Sequence, residues 1–387
     1  MLRVVSTLDG PPRTLARVRE LFLLDPDVVF LNHGSFGACP RAVFEEYQRL
    51  QLELEREPVE FLSLHRRFPS LIEGVRRRLA AYVGAKLENV ILVPNATAGV
   101  NAVARSFPLD PGDEIVATTH EYGGNDVLWE WLCDQRGAKY VTVDAFPETA
   151  VDDLLGAFTE RTRLLFVSHV SSTTALRFPV EELCTRARAA GVRTLVDGAH
   201  APSQLDLDLG KLDADFYTGN CHKWLCSPKG AGFLHVAPEA QDLLEPLAVS
   251  WDWAEDEWAD RHRWHGTKDP TPYLAVPAAI DFQAERDWPS VRSRCHTLAV
   301  RARRELSDLL GTEPLAAQET EFVQMCSLRL PARTDAAAVG RRLFDEHRIE
   351  VGAKQWRDEP TLRVCFQGYN EESDLEALKE ALPRVLR

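Results

Sequence analysis

The chain has 387 residues, of which 45 are Lys or Arg and 59 are Asp or Glu, so its formal net charge is −14. This acidity argues against a nucleic-acid binder, which needs a basic face, and against docking on an anionic membrane. It does not argue against a small anionic ligand, because a single pocket can gather a few cations whatever the net charge.

The cysteines and the start of the chain indicate where the protein works. Eight cysteines are too few for a disulfide scaffold, and none of them form the C-x-x-C pair of a zinc ribbon or redox motif. No apolar run approaches the ~20 residues that span a bilayer, and the first twenty residues lack the apolar core of a signal peptide. We therefore expect a cytoplasmic enzyme with reduced thiols.

Seven short apolar runs follow one another through the middle of the chain, bounded by Gly, Pro, Asp or Asn. The runs cover residues 90–93, 114–118, 139–143, 163–170, 194–198, 215–219 and 232–236. Helical patterns at 97–107, 125–137 and 180–191 lie between them, and this strand–helix–strand spacing predicts βαβ units. We expect an α/β fold whose large domain contains a mostly parallel seven-stranded sheet buried on both faces.

The composition changes near residue 250. The stretch SWDWAEDEWADRHRWHGTKDP (250–270) is rich in tryptophan and poor in aliphatic residues, so it is either an active-site loop or a domain junction. Residues 273–285 and 290–310 then predict two long helices. The remaining apolar patterns predict alternating strands and helices at 322–330, 336–348, 349–353, 362–367 and 373–386.

A chain of this length is expected to form about two domains. The patterns predict these two domains and an N-terminal segment that precedes them. Residues 1–70 are predicted to be an N-terminal segment that packs against both domains. Residues 71–265 are predicted to form the large domain that contains the parallel sheet. Residues 266–387 are predicted to form a smaller α+β C-terminal domain.

Two charged residues stand where predicted strands end. Lys223 in NCHKW (220–224) would point into the cleft where open α/β sheets bind ligands. A buried amine loses its charge readily and can form a Schiff base, although a surface lysine on a turn fits the same pattern. Asp197 in TLVDGAHAP (194–202) ends a buried run, so its carboxylate needs a partner such as a protonated pyridine nitrogen, unless it caps a helix.

Two further motifs also follow predicted strands. In PNATAGVNAVA (94–104), Asn95 or Thr97 can cap the next helix, whose N-terminus is either a phosphate site or an ordinary helix start. In HEYGGN (120–125), His120 and Tyr122 stand where an aromatic ring could stack on a flat cofactor, although a core or surface position fits equally.

These four features occur in a fixed order along the chain: the possible phosphate site at 94–104, the aromatic Tyr122, then Asp197 and Lys223 at the ends of predicted strands. In this order they resemble the fold-type I pyridoxal-phosphate (PLP) enzymes, specifically the class V aminotransferases. Four segments are similar to the isopenicillin N epimerase-like group: FLNHGSFGACP (30–40), SHVSSTTALRFPV (168–180), YTGNCHKWLCSPKGAGFL (217–234) and HGTKDPTPYLAVPAAIDF (265–282). The resemblance spans residues 28 to 370, and it implies PLP as the cofactor and a small amino acid as the substrate.

The resemblance assigns residues to the cofactor ring. Lys223 would be the Schiff-base lysine, and Asp197 would pair with the pyridine nitrogen so that the ring can act as an electron sink. His200 would reach the ring hydroxyl, and Tyr122 would stack on the ring. Ser172 occupies a position near the ring that is often held by Asn.

The resemblance also implies a phosphate site that extends over two subunits. Within one chain, the phosphate would be held by Ala96, Thr97, Asn220 and His222. Gly266 and Thr267 resemble a Gly-Thr pair that reaches the phosphate from the other subunit. A homodimer with a composite active site is therefore implied.

The substrate end of the site is implied by Arg363 in TLRVCFQGYN, which would grip the α-carboxylate bidentately, with Asn32 and His33 lining the same pocket. The reaction would occur at Cα through an external aldimine, with the freed Lys223 amine removing the Cα proton. The fate of the resulting carbanion decides the activity. Reprotonation of Cα on the opposite face would make the protein an epimerase, and reprotonation at the cofactor carbon would make it an aminotransferase. Loss of a β-substituent would make it a lyase. Tyr122 and His33 are the candidates for the proton donor on the far face.

Two alternatives remain at this point. A standard cysteine desulfurase is disfavoured, because residues 350–362 contain no persulfide cysteine and Cys365 is expected to be buried in a strand. This leaves open a β-lyase that acts on a cysteine-type substrate without such a cysteine. A non-catalytic PLP-binding regulatory protein is the alternative of another class, and the joint presence of Lys223, Asp197 and Arg363 argues against it.

Overall fold

A computed structural model describes residues 18–387 of the chain, so the first part of the predicted N-terminal segment lies outside the described residues. The strands of the described residues are β1 (Val29–Phe30), β2 (Val90–Val93), β3 (Glu114–Thr118), β4 (Lys139–Val143), β5 (Thr162–Ser168), β6 (Arg193–Asp197), β7 (Phe216–Asn220), β8 (Gly232–Val236), β9 (Met325–Arg329), β10 (Ile349–Glu350), β11 (Gly352–Trp356) and β12 (Glu359–Cys365).

The α-helices alternate with these strands in the first half of the described chain and dominate the second half. They are α1 (His33–Phe36), α2 (Arg41–Arg56), α3 (Pro58–Leu62), α4 (Phe68–Tyr82), α5 (Ala96–Ser106), α6 (Gly123–Arg136), α7 (Ala150–Gly156), α8 (Val180–Ala189), α9 (Thr271–Leu274), α10 (Val276–Ala284), α11 (Trp288–Leu310), α12 (Ala336–His347) and α13 (Glu372–Val385).

Seven strands form the central sheet in the order β2-β8-β7-β6-β5-β3-β4. Only β8 runs antiparallel to its neighbours, so the predicted mostly parallel seven-stranded sheet is confirmed. Strands β2, β3, β4 and β8 have the predicted bounds, and β5, β6 and β7 differ from the predicted runs by one or two residues at their ends. The α/β fold class is confirmed as well.

The sheet is buried on both faces because its strands are continuous apolar runs. In β5, for example, Leu164 and Phe166 pack into one apolar cluster, while Leu165 and Val167 pack into another. Helix α5 lies very close to the sheet: a Cβ atom at Gly99 would lie 2.2 Å from Oγ1 of Thr218 in β7. This close approach holds the N-terminus of α5 at the carboxyl edge of the sheet, where the parallel strands end.

The C-terminal part contains a three-stranded antiparallel sheet in the order β11-β12-β9. Two details differ from the sequence expectation. The helix expected over 273–285 is divided into α9 and α10, and Pro277 at the start of α10 explains the division because proline lacks the N–H that a continuous helix needs. The run 349–353 is divided between β10 and β11.

The N-terminal segment contacts both the central sheet and the C-terminal part of the chain. Strand β1 pairs in parallel with β10 in the C-terminal part, and α4 packs against β2 of the central sheet. Helix α4 runs without a break across the predicted boundary at residues 70 and 71. The three-part division stays a prediction.

Two further observations concern the predicted location. Within residues 18–387, no helix is both long enough and apolar enough to cross a bilayer. All eight cysteines have free thiols.

The tryptophan-rich stretch 250–270 forms short 3-10 turns, and it does not line the cavity at the carboxyl edge of the sheet.

Candidate active site

A solvent-open cavity of about 860 Å³ lies at the carboxyl edge of the central sheet. Its lining residues come from α1, from the ends of the central strands and from β11 and β12. They are Gly34, Ser35, Phe36, Asn95, Ala96, Thr97, Tyr122, Ser168, Val170, Ser172, Asp197, Ala199, His200, Asn220, His222, Lys223, Lys354 and Arg363. Ten of the residues that the sequence assigned to a site therefore share one cavity.

Lys223 follows β7 and reaches into this cavity. Burial lowers the pKa of its amine to about 7, and the nearby Arg363 guanidinium adds to this effect while the Asp197 carboxylate opposes it. Its Nζ lies 3.0 Å from Nε2 of His200, whose own pKa burial holds well below its usual value. A neutral amine is a nucleophile and a base, so the environment prepares Lys223 for both roles.

Asp197 is the last residue of β6 and is only 5% exposed. Its carboxylate accepts hydrogen bonds from Nδ2 of Asn125 at 2.8 Å and from the backbone N–H of Ala199 at 2.9 Å. Within residues 18–387, no cationic side chain forms an ion pair with it. Burial raises the pKa of Asp197, although these hydrogen bonds and the Lys223 charge oppose the rise. A buried carboxylate of this kind is suited to a cationic ligand atom.

The N-terminus of α5 forms the opposite end of the cavity. Asn95 caps the helix by accepting a hydrogen bond from the backbone N–H of Ala98 at 2.9 Å. The backbone N–H of Ala96 donates to Oδ1 of Asn220 at 2.8 Å, and Thr97 lies beside it on the cavity wall. Helix N-terminal N–H groups and a neighbouring hydroxyl suit a phosphate.

His222 lines the same end of the cavity. Burial lowers the pKa of its imidazole to about 4, and the Lys223 charge contributes to the lowering. The ring is therefore neutral at pH 7 in the ligand-free chain, and it can still donate a hydrogen bond to an anion. The four residues expected at the phosphate of one chain thus meet at one place.

Arg363, in β12, is 4% exposed and fixed by three contacts. Its Nη2 donates to Oγ of Ser35 at 2.9 Å and to Oδ1 of Asn32 at 3.3 Å, and its Nη1 donates to the backbone carbonyl of Ser172. The expectation that Asn32 lines the pocket was wrong, because Asn32 is not among the residues that line the cavity and its Oδ1 accepts from the Arg363 guanidinium. Asn32 and Ser35 instead hold the guanidinium in one orientation.

The expectation for His33 was also wrong. His33 is completely buried, and its Nε2 lies 3.0 Å from the backbone carbonyl of Lys223, which can only accept. Nδ1 therefore accepts from the hydroxyl of Tyr369 at 2.9 Å. With both nitrogens occupied and the ring fully buried, His33 does not line this cavity, so the structure gives no support to its role as the far-face proton donor.

Of the remaining expected site residues, Tyr122 lines the cavity, whereas Gly266 and Thr267 do not. Tyr122 lines the cavity at the start of α6 and is 41% exposed, so its ring is accessible to a flat ligand. Gly266 and Thr267 lie in the loop before α9 and do not line the cavity of their own chain. Their contribution to the site of another subunit stays a prediction.

Residues 34–378 match the family described as Aminotransferase class-V. The chain belongs to this family.

The chain is similar to the following two curated relatives and one solved structure. Isopenicillin N epimerase from Streptomyces clavuligerus is 40% identical over 386 residues, which cover 94% of this chain and 96% of that protein. Hercynylcysteine sulfoxide lyase from Schizosaccharomyces pombe is 25% identical and covers 92% of this chain and 94% of that protein. A C-DES mutant with glycine covalently linked to its PLP cofactor has the same fold, with a TM-score of 0.80 at 22% identity over 92% of this chain and 96% of that chain.

The cavity fits the PLP cofactor of a class-V aminotransferase. Among the described residues, the buried Asp197 carboxylate has no cationic partner, and a protonated pyridine nitrogen would supply one. The Lys223 amine has a lowered pKa suited to a Schiff base. The α5 N-terminus offers donors to a phosphate at the other end of the same cavity. The chain is a PLP-dependent enzyme that acts at Cα of an amino acid.

Besides Ser35, the contributors to this class-V aminotransferase site that the sequence analysis missed include Asn125, Lys354 and Phe36. Asn125 donates to Asp197, and a signal existed because Asn125 ends the HEYGGN motif. Lys354 is an exposed cation on the cavity wall beside Arg363, and Phe36 is a 74% exposed aromatic residue at the mouth. Lys354 stands in the stretch that was searched for a cysteine, and nothing in its local sequence distinguishes it from a surface lysine.

Proposed function

We propose that the enzyme is an epimerase that inverts the configuration at Cα of an amino acid. One observation carries the proposal: a single cavity joins the Lys223 amine, the Asp197 carboxylate and the Arg363 guanidinium. The relative named isopenicillin N epimerase shares 40% identity over nearly the whole chain, whereas the relative named as a lyase shares 25%. No cysteine is found among the described residues that line the cavity, which argues against a persulfide-forming desulfurase.

Lys223 is the group that moves the proton at Cα. With a pKa of about 7, a large fraction of its amine is neutral at physiological pH and can accept this proton. When bound, PLP supplies an electron sink for the negative charge at Cα. Asp197 contributes the fixed negative charge that keeps the pyridine nitrogen protonated.

Arg363 fixes the orientation of the substrate. Its guanidinium can bind an α-carboxylate through N–H groups that its contacts leave free, and the contacts with Asn32, Ser35 and Ser172 prevent it from turning. Lys354 places a second positive charge beside it. A carboxylate held at this point positions the Cα–H bond relative to the Lys223 amine.

The proposal is tested by incubating the enzyme with L- and D-amino acids in deuterium oxide. We expect the product to carry deuterium at Cα and to have inverted configuration, because the removed proton exchanges with solvent before it returns. Mass spectrometry and chiral chromatography measure both. Pyruvate or sulfide as the product would instead identify a β-lyase, and accumulation of pyridoxamine phosphate would identify an aminotransferase.

Inversion also needs a proton donor on the face opposite to Lys223, and Tyr122 is the remaining candidate that lines the cavity. We expect Tyr122→Phe to lower the rate of inversion about 100-fold, which is a typical contribution of a general acid. Deuterium exchange with retention should continue, because it uses Lys223 alone. The ratio of exchange to inversion measures the effect.

Tyr47→Phe is the matched control, since Tyr47 lies on α2 and its hydroxyl accepts a hydrogen bond from Gln51 outside the cavity. This variant should keep the ratio of the unmodified enzyme. Equal losses of exchange and inversion in Tyr122→Phe would remove Tyr122 from the role of far-face donor.

We also propose a cytoplasmic homodimer with a composite active site. The free state of all eight thiols supports a reducing compartment. The position of Gly266 and Thr267 away from the cavity of their own chain is what a contribution to the partner's site requires. The substrate is a small amino acid, and the acidic surface argues against nucleic acid or an anionic membrane as a partner.

A further inference from the structure

Trp224 follows Lys223 directly, and its fully buried side chain lies behind the cavity. Its indole Nε1 donates a hydrogen bond to Nδ1 of His200 at 3.2 Å. The other ring nitrogen of His200, Nε2, lies 3.0 Å from Nζ of Lys223. The imidazole of His200 therefore connects the indole N–H to the reactive amine.

The indole determines which nitrogen of His200 carries the proton. An indole N–H can only donate, so Nδ1 of His200 must be the unprotonated acceptor. The ring is completely buried, and this burial holds its pKa well below the usual value, so only one ring proton is present at neutral pH. That proton must be on Nε2, which points at Lys223.

We propose that Trp224 is a positioning residue that fixes His200 in the Nε2–H tautomer, so that His200 acts as a hydrogen-bond donor toward Lys223. His200 is then not a base of this site. The same N–H is directed at the position where the resemblance to the class-V aminotransferases puts the cofactor hydroxyl. Only this use of the N–H rests on the proposed function; the tautomer is a property of the chain.

The tautomer has a consequence for Lys223. If Nε2 donates, the amine must accept through its lone pair, which is available only in the neutral form. A protonated Lys223 would need Nε2 as its acceptor, and the ring proton would then move to Nδ1 and oppose the indole N–H. Trp224 therefore favours the free amine, acting through His200.

Other groups also act on the Lys223 charge. The Asp197 carboxylate at the end of β6 favours the protonated amine, and a thiolate at Cys365 in β12 would do the same. Arg363 in β12 and Lys354 in β11 disfavour it. Cys365 belongs to the same buried apolar cluster as Trp224. The substitution must therefore remove the indole N–H but keep an aromatic ring in its place, so that these four groups stay where they are.

The surroundings allow such a removal. The backbone carbonyl of His200 accepts from Nε2 of Gln204 at 2.7 Å, and the carbonyl of Trp224 accepts from Nε2 of Gln283 at 2.9 Å. Both main chains are thus held independently of the indole–imidazole bond. Trp224→Phe keeps an aromatic ring in place and removes the donor.

The tautomer can be measured in the full-length protein by ¹⁵N NMR of labelled histidine, with the His200 signals assigned by their loss in His200→Gln. In the unmodified protein, as purified and after removal of the cofactor, we expect a protonated Nε2 and an unprotonated Nδ1. In Trp224→Phe we expect a substantial population of the Nδ1–H tautomer. A protonated Nδ1 in the unmodified protein would overturn the proposal without any Trp224 variant.

A second measurement follows Lys223 itself in the cofactor-free chain. The pH dependence of its acylation by acetic anhydride, read by peptide mass spectrometry, gives the pKa of its amine. We expect this pKa to rise by about half to one unit in Trp224→Phe, the equivalent of one ordinary hydrogen bond. Identical tautomers and identical labelling curves in both proteins would refute the role of Trp224.

Trp129→Phe is the matched control. Trp129 is also completely buried, but it packs against Phe166 in another apolar cluster, and its Nε1 has no acceptor among the described residues. This variant should leave the His200 tautomer and the Lys223 labelling curve unchanged. Loss of epimerisation in the deuterium oxide experiment would contradict the proposed function but not this tautomer, so the two fail separately.

Discussion

Lys223→Ala is expected to abolish turnover, with a loss of at least about 10⁴-fold, because one amine serves both as the Schiff-base nucleophile and as the base at Cα. The cofactor should bind without the visible absorbance that its covalent link to Lys223 produces. The fold should persist, since the side chain extends into a cavity rather than into the core. Steady-state kinetics and an absorbance spectrum measure both effects.

Two additional measurements separate this chemical role from a structural one. Added methylamine should restore part of the activity of Lys223→Ala, because a small amine can occupy the space of the missing side chain. Lys211→Ala is the control, since Lys211 is an exposed lysine that pairs with Asp208 on the surface, and its turnover should be unchanged. Undiminished turnover in Lys223→Ala would refute the assignment of the active site.

Asp197→Asn should have the second largest effect on activity, a loss of about 10²–10³-fold, which is typical when one fixed charge of an active site is removed. The variant keeps the shape of the side chain but not the negative charge that holds the pyridine nitrogen protonated. Asn125 can adapt by turning its amide, because its Oδ1 lacks a partner among the described residues and could accept from the new amide. Single-turnover exchange of the Cα proton measures the loss.

The same variant should stabilise the cofactor-free chain. Burial raises the pKa of Asp197 in the folded state, so the ionised carboxylate is disfavoured by folding at every pH above that pKa. Asp197→Asn removes this cost, and the gain in melting temperature should be present at pH 7 and shrink as the pH falls through the folded pKa. Thermal melts across the pH range measure it.

Asp215→Asn is the matched control for the stability measurement. Asp215 is also buried at 2% exposure, but its carboxylate accepts from Nη1 of Arg193 at 2.6 Å and from the backbone N–H of Thr194 at 2.8 Å. Removal of this paired charge should lower the melting temperature at pH 7. A parallel response of the two variants would show that Asp197 has a compensating partner.

The central sheet could be predicted from the sequence because its strands are short β-branched runs between turn residues. Lys223 and Asp197 could be predicted with it, since a residue that follows a parallel strand must lie at the carboxyl edge where the cavity forms. The break between α9 and α10 was also present in the sequence, in Pro277, but the apolar pattern across it hides the interruption.

The orientation of side chains could not be predicted in this way. The short motif around His33 would be the same whether its imidazole ring faced the cavity or the core. The ring is held in the core by a hydrogen bond with the hydroxyl of Tyr369, which lies 336 positions later in the chain. The contact of Trp224 with His200 likewise depends on how two turns are placed relative to each other. Local patterns locate such residues at an edge of the sheet, and only tertiary packing decides what they touch.

The pairing of β1 with β10 has a consequence for engineering. The segment from Val29 to Gly37 is separated by more than 300 positions from Arg363, yet it supplies Asn32 and Ser35 to that guanidinium and His33 to the carbonyl of Lys223. A chimera that exchanges the C-terminal part containing Arg363 between relatives must therefore carry this N-terminal segment with it. Trimming or fusing the chain within the segment would alter the orientation of the Arg363 guanidinium and so weaken substrate binding, even though the cut lies far from Lys223 in sequence.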